Sequence, residues 1–94
     1  TSMDSSISER KLNFKMELDV RGQRVNEALD NVMHYIDDAI MLNVSSVRII
    51  HGKGTGALRD EIQRFLRATP GVVSAKDESV QLGGSGVTVV TFDK

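Results

Sequence analysis

The stretch that decides the fold lies in the middle of the chain and reads Val47-Arg48-Ile49-Ile50-His51-Gly52-Lys53-Gly54-Thr55-Gly56-Ala57-Leu58-Arg59. Its first half is apolar and β-branched, as in a buried strand. Its second half opens a helical pattern whose apolar face is made of Leu58, Ile62, Phe65 and Leu66. A strand that turns into a helix through glycines leaves backbone N–H groups exposed at the positive end of the helix dipole, where anions and above all phosphate bind. The stretch therefore predicts a phosphate-facing loop.

Length and composition fit one small intracellular domain. The chain has 94 residues, of which 39% are apolar and 4% aromatic, and it has no cysteine. One modest core is the expectation for this size. Disulfides and thiolate metal sites are excluded. No apolar run approaches the ~20 residues of a membrane span, and the polar start is not a signal peptide, so a cytoplasmic protein without a membrane partner is predicted.

Charge is divided between two parts of the sequence. Residues 16–43 carry two basic and six acidic side chains, a net charge of −4, and residues 44–76 carry six basic and two acidic ones, a net charge of +4. A basic half beside a glycine-rich loop is compatible with a nucleic-acid partner. It is equally compatible with ordinary solvated helix faces.

Hydrophobic periodicity predicts the order β-α-β-α-β-β. Residues 1–12 have no periodicity and read as a linker or cloning remnant, expected to be disordered, ahead of a domain at 13–94. The predicted elements are strand 13–20, helix 24–43, strand 47–50, a helix ending at about 68, a short strand 72–75, a glycine turn 83–86 and strand 87–92. The predicted fold is α/β in the α+β sense, a two-layer sandwich with a four-stranded mixed sheet and two helices.

Two polar corners are predicted to meet. A right-handed crossover makes the first two strands parallel, with their carboxyl ends at one rim of the sheet. The corner at residues 19–22 (Asp-Val-Arg-Gly) and the corner at residues 51–54 (His-Gly-Lys-Gly) would then lie side by side, where open α/β sheets bind ligands.

The chemistry of these corners is open from the residues alone. Asp19 could act as a general base, bind a cation, cap a helix or hold a neighbouring Arg or His. His51 suits either a hydrogen-bonded corner or an imidazole that contacts phosphate, whereas Lys53 places its charge where an anion would dock. The glycine spacing is neither a Walker A loop nor G-x-G-x-x-G. At most, Asp19, Glu17 and His51 could share a hydrated cation.

Three ordered motifs resemble the small MutS-related (Smr) domain. They are Leu18-Asp19-Val20-Arg21-Gly22, then the histidine and glycine stretch from His51 to Arg59, and last Gly83-Gly84-Ser85-Gly86-Val87-Thr88-Val89-Val90. The resemblance covers residues 14–93 and implies a two-layer α/β sandwich with nicking endonuclease activity on DNA. Some members of that family act on RNA or are tied to ribosomes. Arg21 stands where many members of the family have His. The Arg form resembles the branch found at the carboxyl end of a bacterial MutS-paralogue ATPase, which restrains recombination and takes part in repair control.

The resemblance implies roles for ten residues. The expected catalytic residues are Asp19, Arg21 and His51. The expected phosphate-binding residues are Gly22, Gly52, Lys53, Gly54, Thr55, Gly56 and Arg59. Asp19 would orient or activate water, Arg21 and Lys53 would stabilise phosphoryl charge, and His51 would contact phosphate or protonate the leaving oxygen.

The implied partners are DNA, or RNA and the ribosome, together with the ATPase domain of a dimeric parent protein. ATP would enter only through that domain, and a divalent cation, Mg²⁺ or Mn²⁺, is left open as a cofactor. The main alternative is a non-catalytic module that docks nucleic acid. A third interpretation, a dimerisation domain, rests on an exposed last strand. Few aromatic residues lie near the loops, which favours backbone contact over base readout.

Overall fold

The computed structural model describes residues 14–93. In chain order the elements are β1 (Glu17–Asp19), α1 (Val25–Met41), β2 (Ser46–Ile50), α2 (Ala57–Arg67), β3 (Val72–Asp77), two short 3-10 turns at Val80–Leu82 and Gly84–Gly86, and β4 (Val87–Phe92). The predicted order β-α-β-α-β-β is confirmed. The segment predicted to be a disordered linker, residues 1–12, lies outside the described residues.

The sheet is four-stranded and mixed, with the strand order β1-β2-β4-β3. β1 and β2 run parallel, while β4 is antiparallel to both of its neighbours. The interpretation of an exposed last strand is wrong, because Val90 of β4 pairs with Val47 on one side and Ala75 on the other. The edges of the sheet are β1 and β3, so β4 offers no free edge to a dimer partner.

Both helices cover one face of the sheet. In β2, Val47 and Ile49 are buried against the helices, whereas Arg48 and Ile50 alternate onto the opposite face and are partly exposed. The buried cluster that joins the two layers is made of Val20, Ala28, Val32, Ile36, Ala39, Val47, Ile49, Ile62, Leu66, Ala75, Val90 and Phe92. Each large aliphatic side chain removed from water contributes roughly 1.5–3 kcal/mol, so this layer is the main stabilising feature of the domain.

The first strand is shorter than its alternating pattern predicts. Its ladder begins at Glu17, and Met16, expected on the buried face, is half exposed. Residues just before it are tied down by α1 instead: the Tyr35 hydroxyl donates to Lys15 O over 2.6 Å, and the Phe14 and Tyr35 rings stack with centroids 5.0 Å apart. An aromatic contact to a helix therefore replaces part of the predicted strand. Within residues 14–93, neither helix has the length and apolar character needed to cross a membrane.

Candidate functional site

The two predicted corners do meet at one rim of the sheet. The Val20 N–H, just past β1, donates to Ile50 O at the end of β2 over 2.8 Å. A Cβ atom placed on Gly52 would lie 3.5 Å from Cγ of Arg21. The side chain of one corner thus lies against the backbone of the other, which confirms the predicted juxtaposition.

Asp19 and Arg21 form a bidentate ion pair on the exposed side of this rim. The guanidinium donates from Nε to Oδ1 over 3.0 Å and from Nη2 to Oδ2 over 2.7 Å, and the Arg21 backbone N–H donates to Oδ1 over 3.0 Å. Val20 between them is fully buried, so the two polar side chains are directed outward together. Gly22 follows at φ +80°, a conformation that suits glycine, and turns the chain towards α1.

This pair keeps the Asp19 carboxylate ionised. Hydrogen bonds from the Arg21 side chain and backbone lower the pKa of Asp19 from 3.8 to about 2. A carboxylate with so low a pKa is a weak base but remains a good hydrogen-bond acceptor. Asp19 is therefore suited to hold Arg21 and to orient water.

Titration of Asp19 tests this pairing. We expect a carboxyl pKa of about 2 in the native domain, rising towards 3.8 in Arg21→Ala. Because the folded pKa is lowered, any stabilisation from the pair is complete above pH 3.8 and disappears as the pH falls through about 2. The measurement is the carboxyl ¹³C shift of Asp19 against pH. Arg24→Ala, which removes a nearby arginine that does not bond Asp19, is the matched control; equal shifts in both variants would contradict the pairing.

The loop of residues 52–56, called the glycine loop below, needs its three glycines for their backbone conformation. Gly52, Gly54 and Gly56 have φ values of 82°, 35° and 86°, which L side chains rarely adopt. A Cβ atom on Gly54 or Gly56 would meet no atom within 4 Å, so this part of the loop is open to solvent. Lys53 and Thr55 are exposed between them.

The glycine loop leads directly into the N-terminus of α2. Gly56 occupies the N-cap position and has no side chain that could satisfy the first-turn N–H groups. Thr55 Oγ1 approaches one of them, the Ala57 N–H, at 3.4 Å. Uncapped N–H groups at a helix N-terminus are a favourable place for an anion. Lys53 adds a charge there, and among the described residues it forms no ion pair.

His51 lies beneath the glycine loop and is only 5% exposed. Its Nδ1 is 3.0 Å from Gly52 O, and its Nε2 is 2.7 Å from Thr88 Oγ1. Burial lowers the pKa of His51, which favours the neutral imidazole. Both ring nitrogens are thus engaged within the chain, and a direct contact with phosphate would require one of these bonds to break.

Arg59, expected at phosphate, is held by carboxylates. Its Nε donates to Asp77 Oδ1 over 2.8 Å, its Nη2 donates to Oδ2 over 2.9 Å, and its Nη1 donates to Asp60 over 2.9 Å. The pKa of Asp77 is lowered, mainly by Arg59. The structure places Arg59 one turn into α2, as expected, but directs its guanidinium towards β3.

The Gly84–Gly86 turn forms part of the site, which sequence reasoning missed. Gly86 O accepts hydrogen bonds from the N–H groups of His51 and Gly52 over 3.1 and 3.0 Å. A Cβ atom on Gly86 would lie 3.2 Å from Lys53 Cγ and 3.5 Å from Gly52 C. The run of glycines from position 83 was visible in the sequence as a turn, but its contact with the glycine loop was not.

Arg48 was also missed, because it sits inside an apolar strand. It bonds Glu17 on β1, Glu78 over 3.0 Å and Leu82 O over 2.8 Å. These contacts tie the edge of the sheet to the segment that leads into the Gly84–Gly86 turn. Arg48 therefore holds residues 78–82, which lead into that turn, against β1 and β2.

The cation site considered from the sequence is not formed. Asp19 is bonded by Arg21, Glu17 by Arg48, and His51 has no free ring nitrogen. Within residues 14–93 there is no group of three His, Asp or Glu side chains arranged to hold a metal ion. The donor groups at the rim do not fit a divalent cation bound by several protein ligands.

The element order and the mixed sheet define a two-layer α/β sandwich domain in which the two corners meet at one rim of the sheet. A model of the Smr domain family matches residues 18–93. The chain therefore belongs to the Smr domain family. Its fold is similar to the Smr domain of Thermus thermophilus MutS2, with a TM-score of 0.82, 44% identity, and coverage of 85% of this chain and all of that one. It is also similar to YdaL, a stand-alone small MutS-related protein from Escherichia coli, with a TM-score of 0.78, 28% identity, and coverage of 84% of this chain and 65% of that one.

Longer relatives carry this sequence as a small part. The chain is 51% identical over 76 residues to the protein named Endonuclease MutS2 of Halalkalibacterium halodurans, covering 81% of this chain and 10% of that protein. It is 44% identical over 86 residues to Endonuclease MutS2 of Shouchella clausii, covering 92% and 11%. The chain thus spans about a tenth of the length of the curated relatives it matches.

Proposed function

We propose that this domain binds the phosphodiester backbone of nucleic acid at the rim and nicks DNA, as part of a larger MutS-paralogue protein that acts in recombination and repair. The observation that carries the proposal is the position of the Asp19–Arg21 pair against Gly52 of the glycine loop. This position brings a carboxylate and a guanidinium against the loop that carries Lys53 and leads into the N-terminus of α2. The names of the MutS2 relatives support an endonuclease.

The proposed binding step uses groups that remain available. Arg21 bonds Asp19 through Nε and Nη2, which leaves its Nη1 hydrogens for a phosphoryl oxygen. Lys53 and the N–H groups of Gly54, Thr55 and Gly56 receive the same or the adjacent phosphate. Thr55 lies between them and can donate its hydroxyl hydrogen.

In the proposed chemical step, the oxygen of a water held by Asp19 forms a bond to phosphorus while the bond from phosphorus to one ester oxygen breaks. The attacking water releases its proton to solvent, and the leaving oxygen takes a proton from solvent. Asp19 orients the water by accepting its hydrogen bond, and Arg21 and Lys53 neutralise the charge that accumulates on the phosphoryl oxygens. His51 supports the step from beneath, since its bond to Gly52 O helps to hold the glycine loop in place. Protonation of the leaving oxygen by His51, the other role expected from sequence, would require its ring to exchange an internal bond for one to substrate.

A plasmid-nicking assay tests the proposal. Supercoiled plasmid is incubated with the purified domain, with Mg²⁺, with Mn²⁺ or with chelator, and open circular product is measured over time. We expect nicking by the wild-type domain and a large loss in the Arg21→Ala, Lys53→Ala double variant purified in parallel. Equal nicking by both proteins would assign the activity to a contaminant and contradict the proposal.

A second candidate is docking of nucleic acid without cleavage, whether DNA or RNA on a ribosome. It is favoured by His51, whose ring nitrogens are both engaged, and by the weak basicity of Asp19. A docking module would bind with strong salt dependence and leave plasmid intact in every metal condition. Two results together would support this candidate: nucleic-acid binding that is the same in Asp19→Asn as in the wild type, and no nicking of plasmid by the wild type.

Lys53 should contribute one phosphate contact in either case. We expect Lys53→Ala to weaken binding to all DNA sequences alike and to reduce the slope of log K against log salt by about 1. The measurement is fluorescence anisotropy with a labelled duplex at several salt concentrations. Lys76→Ala, which removes an exposed lysine from β3 at the other edge of the sheet, should leave the slope unchanged. Equal slopes for wild type and Lys53→Ala would remove Lys53 from the interface.

A further inference from the structure

The buried polar side chains of the described residues form one connected network. They are His51, Gln63 and Thr88, which are 5%, 4% and 0% exposed. His51 Nε2 is 2.7 Å from Thr88 Oγ1, and Gln63 Nε2 is 3.1 Å from the same hydroxyl oxygen. His51 directly follows the end of β2, Gln63 lies in α2 and Thr88 lies in β4, so the network crosses from the sheet into the helix layer.

The network continues to a carboxylate at the edge of the sheet. Gln63 Nε2 also donates to Asp77 Oδ1 over 2.9 Å, and Arg59 holds that carboxylate. Arg67 Nη2 donates to Gln63 Oε1 over 3.0 Å and to Ala75 O over 3.2 Å. In the part of the chain that the structure describes, no buried side-chain nitrogen or oxygen lacks a partner.

These contacts fix the direction of every hydrogen bond. Gly52 O can only accept, so His51 Nδ1 carries the proton. Asp77 accepts from the Gln63 amide, whose second hydrogen goes to Thr88 Oγ1. The Thr88 hydroxyl hydrogen is then free to donate to His51 Nε2. The neutral imidazole with its proton on Nδ1 is the form that satisfies all of these groups.

We infer that Thr88, Gln63 and Asp77 are positioning residues that hold His51 in the Nδ1–H tautomer and, through its bond to Gly52 O, set the conformation of the glycine loop. Apolar side chains of similar size at positions 63 and 88 would fill the same space without polar groups to satisfy. The hydrogen-bond network therefore fixes the orientation and the tautomer of the His51 ring, which apolar packing would not do. The inference rests on the proposed function only where it treats the glycine loop as the phosphate-binding element.

The test compares wild type with Thr88→Val, which keeps the shape and removes the hydroxyl, and with Thr88→Ser, which restores it. Long-range ¹H–¹⁵N spectra report the tautomer of His51, and His34 in the same spectra is the internal reference. We expect the Nδ1–H form of His51 in wild type and Thr88→Ser. In Thr88→Val we expect about a fivefold change of the tautomer ratio towards Nε2–H, the effect of about one lost hydrogen bond.

The loop and its ligand supply the second readout. In Thr88→Val the backbone amide signals of Gly52, Gly54 and Gly56 should shift, and affinity for a labelled DNA duplex should fall about fivefold, again the size of one hydrogen bond. Gln63→Met removes the next link and should produce smaller shifts in the same direction. It takes the place of Thr88→Val if that variant does not fold.

The tautomer and amide readouts need no nucleic acid, so they succeed or fail independently of nicking and binding. A wild-type His51 protonated on Nε2 would overturn the assigned directions. A Thr88→Val or Gln63→Met domain with an unchanged His51 tautomer and unchanged loop amides would overturn the positioning role.

Discussion

Replacing Asp19 with asparagine is expected to slow plasmid nicking by about 10²–10³-fold, the size of effect that follows removal of one preorganised hydrogen-bonding group from a catalytic site. Asparagine keeps the size of the side chain and one acceptor oxygen. It removes the charge that holds Arg21 through two hydrogen bonds of 3.0 and 2.7 Å. Arg21 is 63% exposed, so without its partner the guanidinium is free to turn into solvent, away from Gly52. The measurement is the initial rate of open-circle formation with the domain in excess over plasmid.

The matched control is Asp37→Asn, the same chemical change at an exposed position of α1 away from the rim. It should nick at the wild-type rate. Thermal unfolding of all three proteins establishes that the variants are folded. Nicking by Asp19→Asn at the wild-type rate would remove this carboxylate from the reaction.

A valine at position 86 is expected to reduce nicking by about 10²-fold, because displacement of reacting groups by about 1 Å has that effect. Even a bare Cβ atom there would lie 3.2 Å from Lys53 Cγ and 3.5 Å from the backbone of Gly52 and Lys53. The two further carbons of valine would push the glycine loop away from Arg21. We also expect a loss of about 1–3 kcal/mol in the free energy of unfolding, as is usual for overpacking.

Ser85→Val is the control for Gly86→Val. It places the same β-branched side chain in the turn at a position where that side chain would not crowd the glycine loop. Ser85 is exposed, while its neighbour Gly86 is buried. Ser85→Val should keep wild-type activity, and Gly86→Ala should fall between the two. The measurements are nicking rates and urea denaturation for each variant. Equal activity of Gly86→Val and Ser85→Val would show that the turn does not position the loop.

Local patterns were sufficient for the type and order of the helices and strands and for the meeting of the two corners. A parallel β-α-β unit joins strands whose ends must share a rim, so Asp19 and His51 could be placed near each other from hydrophobic periodicity and handedness alone. The turn from strand to helix through the glycine loop followed from its composition. These features depend on short stretches of chain and on one topological rule.

The parts that could not be predicted depend on contacts between distant residues. His51 is buried because Thr88 and the Gly84–Gly86 turn lie over it, and no periodicity near His51 signals either of them. Arg59 faces Asp77 because β3 continues past the predicted end at residue 75. The order of the strands in the sheet cannot be predicted from sequence alternation either. A strand such as β4 would show the same alternation of apolar and polar residues at the edge of a sheet as in its centre.

The central position of β4 has a consequence for how the domain folds. The last strand in sequence lies between β2 and β3, and its partner β2 is about forty residues earlier in the chain. Closing so long a loop has an entropic cost that is offset only when β4 pairs on both sides, which makes such topologies slow to form. Thr88 and Gly86 arrive with this strand, so His51 and the glycine loop acquire their supports only at that moment. We therefore expect the supports of the glycine loop to form together with the pairing of β4, so that a chain without this pairing would lack the contacts that hold the loop.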